Sequence, residues 1–238
     1  MERILEPEVM DTTEDAREYN AMDHNAVNEK FYLDLAALVH DSGKRFRTEA
    51  DPGFDDIEDT NLIGSLLDVG TGTALIPIEL CNHQPGVRVM AIDLAASMLD
   101  LAITNIDIAG MRSQIQLAQI DAKDSGLEDD MFDAVISNSI VHHIPNPAST
   151  FNEMARVTRP GGVIFVRDLM RPESETEVDH IVETYAGEET EYSRRLFRDS
   201  LCASLTVEEV QQFVADAGCD PQHVRATSDR HWTWATVR

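Results

Sequence analysis

The apolar positions of this chain change rhythm at residue 62. Beyond it, short runs of apolar and β-branched residues alternate with stretches spaced for helices, the pattern of βαβ units joined in a parallel sheet. "SLLDVG" (65–70) predicts a buried strand, and "TALIPIELCNHQPG" a helix with Pro77 in its first turn, where proline is tolerated. "VRVMAID" (87–93) predicts the next strand, followed by a helix carrying Leu94, Met98, Leu101 and Ile108 and stopped by Gly110. "IQLAQID" (115–121), "FDAVISNS" (132–139) and "VIFVRD" (163–168) predict three more strands, the last entered through an "RPGG" turn (159–162). Asn146 and Pro147 read as the N-cap and first residue of a helix through Phe151, Met154 and Ala155. Thr206 and Glu209 predict a capping box for a helix with Val210, Phe213, Val214 and Ala217 on one face, ended by Gly218. "HVRATS" and "HWTWATV" close the chain as two strands, with Trp232 and Trp234 as sheet packing.

The first sixty residues have another character. "TTEDAREYNAMD" and "NAVNEKFYLDLAALVHDSG" predict two helices, the second with Val27, Phe31, Leu35 and Leu38 apolar and Gly43 as its stop. The acidic "TEADPGFDDIEDTN" (48–61) reads as a loop or linker. We expect residues 1–60 to form an N-terminal helical cap with its linker, and residues 61–238 the main domain.

Composition narrows the class. With 238 residues, 42% of them hydrophobic, the chain can bury a full core. No apolar run approaches the roughly 18 residues of a membrane span, and "MERILEPEVM" carries acids where a secretory signal is basic, so a cytoplasmic location is expected. Cys81, Cys202 and Cys219 are odd in number and outside any CxxC spacing, which argues against a disulfide framework. The net charge of −25 repels phosphate backbones, and the longest basic cluster is "KRFR" (44–47), so nucleic acid is a disfavoured partner. Monomer and homodimer both remain open.

The chemistry gathers at "LLDVGTGTALIPIEL" (66–80), where a strand meets a turn allowed by Gly70 and Gly72 before a helix. An NAD fingerprint wants glycine where Leu75 stands, and a phosphate-binding P-loop wants a lysine that is missing between Lys44 and Lys123. The ordered set Asp68, Gly70, Gly72 and Ala74, then Asp93, then Asp121 with Ala122, then "FDAVISNS" and "RVTRPGGVIFV" resembles the class I S-adenosylmethionine (SAM) dependent methyltransferases over most of residues 62–238. That resemblance implies a Rossmann-like three-layer α/β sandwich, with a mostly parallel seven-stranded sheet, an antiparallel last strand and an N-terminal helical cap. It implies SAM as cofactor and S-adenosylhomocysteine as product. Asp93 would accept the ribose hydroxyls and Asp68 would face the ammonium, while the Gly70, Thr71 and Gly72 N–H groups would meet the methionyl end. Asp121 would accept from the adenine amino group, with Ala122, Leu94 and Met98 as walls and Asn138 and Ser139 bordering the cofactor. Alanine at position 74 departs from a third glycine whose family role is close helix–strand packing.

"SNSIVHHIPNP" (137–147) follows the fourth strand, at the carboxyl edge where open α/β sheets bind ligands. A metal is not expected there, because adjacent residues point in different directions and no other His/Cys/Asp cluster lies nearby in the sequence. The segment is similar to one in ubiquinone and menaquinone biosynthesis methyltransferases. His143 or His142 is therefore a candidate general base, with Asp168 as another, and loop ordering as the plainer role of the histidines. Arg167 could hold an acidic substrate or pair with Asp168. Tyr19, Met22, His24, Asn28 and Tyr32 are candidate lid residues over cofactor and acceptor. The expected reaction is methyl transfer to an O, N or C atom of a small molecule. The alternatives are an RNA or protein methyltransferase, or a SAM-binding regulatory protein without catalysis.

Overall fold

Successive side chains of a strand point to opposite faces, and the central strands use this to fill two cores at once. In the computed structural model, which describes residues 1–7, 12–21, 24–51 and 61–238, the N-terminal part contains α1 (Thr13–Ala21), α2 (Asn25–Asp41), β1 (Arg45–Phe46) and β2 (Leu62–Ile63). There follow β3 (Ser65–Val69), α3 (Leu75–His83), β4 (Arg88–Asp93), α4 (Ala96–Ala109), β5 (Ile115–Gln119) and β6 (Phe132–Asn138). The chain continues through a 3-10 turn (Val141–His143), α5 (Ala148–Val157), β7 (Thr158–Leu169), α6 (Glu175–Ala186), α7 (Glu191–Ala203) and α8 (Val207–Asp216). It ends in β8 (Val224–Ala226) and β9 (His231–Val237).

Seven strands form one sheet in the order β5-β4-β3-β6-β7-β9-β8. Pairing is parallel from β5 through β7, and β9 runs antiparallel to both its neighbours. Leu66, Ile136 and Phe165 face α2, α3 and α4, meeting Phe31, Leu35, Leu80 and Ala102. Their chain neighbours Leu67, Val135 and Ile164 face α5 and α8, meeting Phe151, Met154, Val210, Trp232 and Trp234. This is the expected three-layer Rossmann-like sandwich with its antiparallel last strand. Phe31, Leu35 and Val39 are buried in the same cluster as the sheet, so α2 is part of the core.

Several local expectations change. Pro147, not Asn146, occupies the N-cap of α5 and makes no side-chain cap. Ile108 is 82% exposed and Leu94 precedes α4, whose buried face is Met98, Leu99, Ala102 and Ile106. "RPGG" lies inside β7, where a register shift between Phe132 and Ala134 absorbs it. The Thr206–Glu209 capping box forms, and Gly110 and Gly218 have left-handed φ of 71° and 78°. Met22 and most of the 48–61 segment lie outside the described residues. No helix among the described residues is long and apolar enough to cross a membrane.

Candidate active site

The carboxyl ends of β3 and β4 meet at the glycine turn. Gly70 (φ 72°) and Gly72 (φ 54°) are left-handed, and a Cβ on Gly70 would collide with Ile140. Ala74 shares that conformation at φ 63° and is fully buried, so a glycine at this position would supply backbone freedom as well as close packing. The turn is held from β4: Gly70 N–H and Thr71 N–H both donate to Ile92 O at 2.9 Å, and Gly72 N–H donates to Asp93 Oδ2 at 2.7 Å. These N–H groups are therefore spent within the protein, which corrects the expectation that they meet the methionyl end. It also removes the donors a pyrophosphate would need.

Side chains remain open where the backbone is not. Asp68 Oδ2, Thr71 Oγ1 and Thr73 Oγ1 are buried without an aligned hydrogen-bond partner, the Thr71 hydroxyl lying beside the Asp68 carboxyl. All three residues line one cavity with Tyr19, His24, Asn28 and Asn138. Burial pushes the Asp68 carboxyl up to about 7. A buried carboxylate oxygen and two hydroxyls suit an aminocarboxylate, the first for its ammonium and the others for its carboxylate.

An adjoining cavity shares Tyr19, Gly70 and Asn138 with the first. Gly72, Asp93, Leu94 and Met98 line it, with Asp121, Ala122 and Ser139 opposite. Asp93 Oδ1 also accepts from Ala95 N–H at 2.9 Å, and burial raises its pKa despite these bonds. Asp121 accepts from Lys123 N–H at 2.9 Å and pairs with its ammonium at 3.1 Å. All eleven residues read from the sequence as cofactor contacts thus border two joined cavities.

The lid residues divide. Tyr19 covers the turn, with Cε1 3.9 Å from a Cβ placed on Gly72, and burial pushes its hydroxyl up to about 12. His24 Nε2 lies 2.8 Å from Tyr19 O, and Asn105 Nδ2 donates to both Asn20 Oδ1 and Thr73 O, tying α1 to the site. Tyr32 instead stacks on His83 at 4.2 Å and accepts from Gln84 Nε2, outside both cavities. Arg167 pairs with Asp34 at 2.6 Å and lines a separate cavity between α2 and the β7–β9 edge. Neither Tyr32 nor Arg167 reaches the site.

The 3-10 turn brings the two histidine rings to 4.1 Å, tilted by 36°, so the neighbours face the same side. His142 Nδ1–H donates to Asp168 Oδ1 at 2.5 Å, and Asp168 Oδ2 accepts from His142 N–H at 3.0 Å. Asp168 is fully buried and His142 is 4% exposed, so both stand behind the pocket wall and neither can touch an acceptor. Burial opposes charge on His142, but the Asp168 carboxylate outweighs it and raises the pKa. Burial, then the charge of His142, lowers that of His143, which lines the larger cavity.

Sequence reasoning missed Glu6. An N-terminal strap carries it to this spot: Glu6 Oε1 lies 3.1 Å from His143 Nδ1 and 3.6 Å from His142 Nε2. Arg3 fastens the strap by donating to the carbonyls of His142, Ile144, Pro145 and Ala203 at 2.6–3.1 Å, and Ile4 N–H donates to Cys202 O. No local pattern marks these residues. Thr73, by contrast, stood inside the glycine motif as a hydroxyl aimed at the turn.

Comparison with known proteins agrees with this geometry. The methyltransferase domain model matches residues 67–166. A phosphatidylethanolamine N-methyltransferase of Cereibacter sphaeroides is 35% identical over 103 residues, 43% of this chain and 49% of the relative. A demethylmenaquinone methyltransferase of Porphyromonas gingivalis is 32% identical over 111 residues, 46% of this chain and 45% of the relative. The matches thus span about half the length of these curated relatives. A crystal structure assigned to a methyltransferase of Bacillus halodurans superimposes with a TM-score of 0.54 at 26% identity, covering 78% of this chain and 68% of that one. Residues 67–166 thus carry a methyltransferase domain, on a fold shared with solved methyltransferase structures.

Proposed function

We propose that the protein transfers a methyl group from SAM to a small-molecule acceptor. The observation that carries this reading is the set of buried atoms without an aligned hydrogen-bond partner on Asp68, Thr71 and Thr73 beside the Asp93 carboxylate. The bound cofactor supplies an electrophilic sulfonium methyl; the chain's residues hold it, aim it and exclude water. Asp68 faces the ammonium, Asp93 accepts from the ribose, and Asp121 with Ala122 borders the adenine. Tyr19, His24 and Asn28 close over the methionyl end, and His143 meets the acceptor. The two relatives are named for a phospholipid amine and a quinone precursor, so the acceptor's chemistry is set by the His143 wall rather than by the shared turn. The net charge of −25 favours a small molecule over nucleic acid, and three free cysteines fit the cytoplasm.

Calorimetry with S-adenosylhomocysteine tests the reading. Asp93→Ala should weaken binding roughly 100-fold or more, since hydrogen bonds to a charged group contribute about 1.5–3 kcal/mol each. No binding, or equal binding by the variant, overturns it. Labelled SAM with a metabolite extract then identifies the acceptor.

A further inference from the structure

We propose that Glu6, His142 and His143 form a binding site for one divalent transition-metal ion of the Zn²⁺ class, closed by the N-terminal strap. One ligand atom from each residue lies within 4.8 Å of the others. Glu6 Oε1 stands 3.1 Å from His143 Nδ1 and 3.6 Å from His142 Nε2. Donors about 2.1 Å from a tetrahedral ion stand roughly 3.4 Å from one another, so these separations bracket the spacing the ion requires.

The hydrogen bonding points the same way. Glu6 Oε1 and His143 Nδ1 are buried and close, yet neither makes an aligned hydrogen bond. Two ligating atoms 3.1 Å apart without the angle of a good hydrogen bond are placed to share a third body. Asp168 takes the Nδ1–H of His142, which fixes the ring and leaves Nε2 toward Glu6. A carboxylate behind a ligating histidine is the usual outer-shell partner of such sites. The sequence argued against a metal because neighbours diverge on a strand or helix, but the 3-10 turn sets these two rings side by side. Three protein ligands leave a fourth position for water or an acceptor oxygen.

The full chain, stripped with a chelator, would be titrated with Zn²⁺ by calorimetry and its metal counted by elemental mass spectrometry. One ion per chain is expected. Glu6→Gln and His143→Asn should each lower affinity by more than the roughly 10–100-fold of an outer-shell change, and Asp168→Asn should fall within that range. His83→Ala, remote on α3, should bind as wild type. Circular dichroism and urea unfolding on each variant report folding independently of the metal. The proposal is overturned if folded wild type takes up no Zn²⁺, or if Glu6→Gln binds it equally; the three groups are then an ion-paired clasp.

Discussion

The two walls of the pocket, the one we propose for the cofactor and the one we propose for the acceptor, are assembled from different distances along the chain. Asp68, Gly70, Gly72 and Asp93 come from one βαβ unit, and backbone bonds between adjacent strands position them. Glu6, His142, His143 and Asp168 come from the strap, a 3-10 turn and the end of β7, and side-chain contacts position them. The first wall is as rigid as the sheet. The second depends on buried charged groups satisfying one another, so its failures should be failures of folding before they are failures of binding.

Asp168→Ala separates the two walls most strongly. It leaves His142 buried without its carboxylate, and removing one partner of a buried pair costs about 3–5 kcal/mol. Urea unfolding should show that loss, while the folded fraction keeps its affinity for S-adenosylhomocysteine. A loss below about 0.5 kcal/mol would show that the pair is not what holds the acceptor wall.

On the cofactor side the expected effect is a pH dependence. Asp68 has a raised pKa of about 7, so below that pH the free protein holds a proton that binding the ammonium must expel. Affinity for S-adenosylhomocysteine should therefore fall as pH drops from 7 to 5, by up to roughly tenfold per unit. Tyr19, Asp93 and His24 also face this region, so the decisive comparison is Asp68→Asn, whose profile should be flatter. An unchanged profile would remove Asp68 from ammonium recognition.

The smallest effect is expected at Ala74→Gly. Relief of a left-handed alanine is worth about 1–2 kcal/mol, against about 0.8 for the buried methyl and about 0.5–1 for glycine's chain entropy. These nearly cancel, and thermal unfolding should shift by no more than about 0.5 kcal/mol. The balance explains how alanine is tolerated in a left-handed conformation.

The same contrast explains what could be read from the sequence. Strands β3, β4, β6 and β7 announce themselves because each is apolar on both faces, and the glycine turn because its residues are contiguous. The helices α6 and α7 carried no comparable signal: Val178, Ile181 and Val182 bury against Leu201 and Cys202 in a small separate cluster amid charged residues. Tyr32 has lid-like chemistry, but its ring stacks on His83 instead of reaching the site. Asp68 in β3 and Asp93 at the end of β4 could be brought to the glycine turn from order alone, whereas Glu6 could be found only once the strap had folded against His142 and His143.

Arg3 carries a last consequence. Its guanidinium grips four main-chain oxygens and no side chain. Positions 144, 145 and 203 can therefore change their side chains without loosening the strap, as long as the carbonyls stay in place. The wall beside His143 is in this sense a replaceable surface clipped to a permanent frame, open to new side chains while the clip goes on holding it.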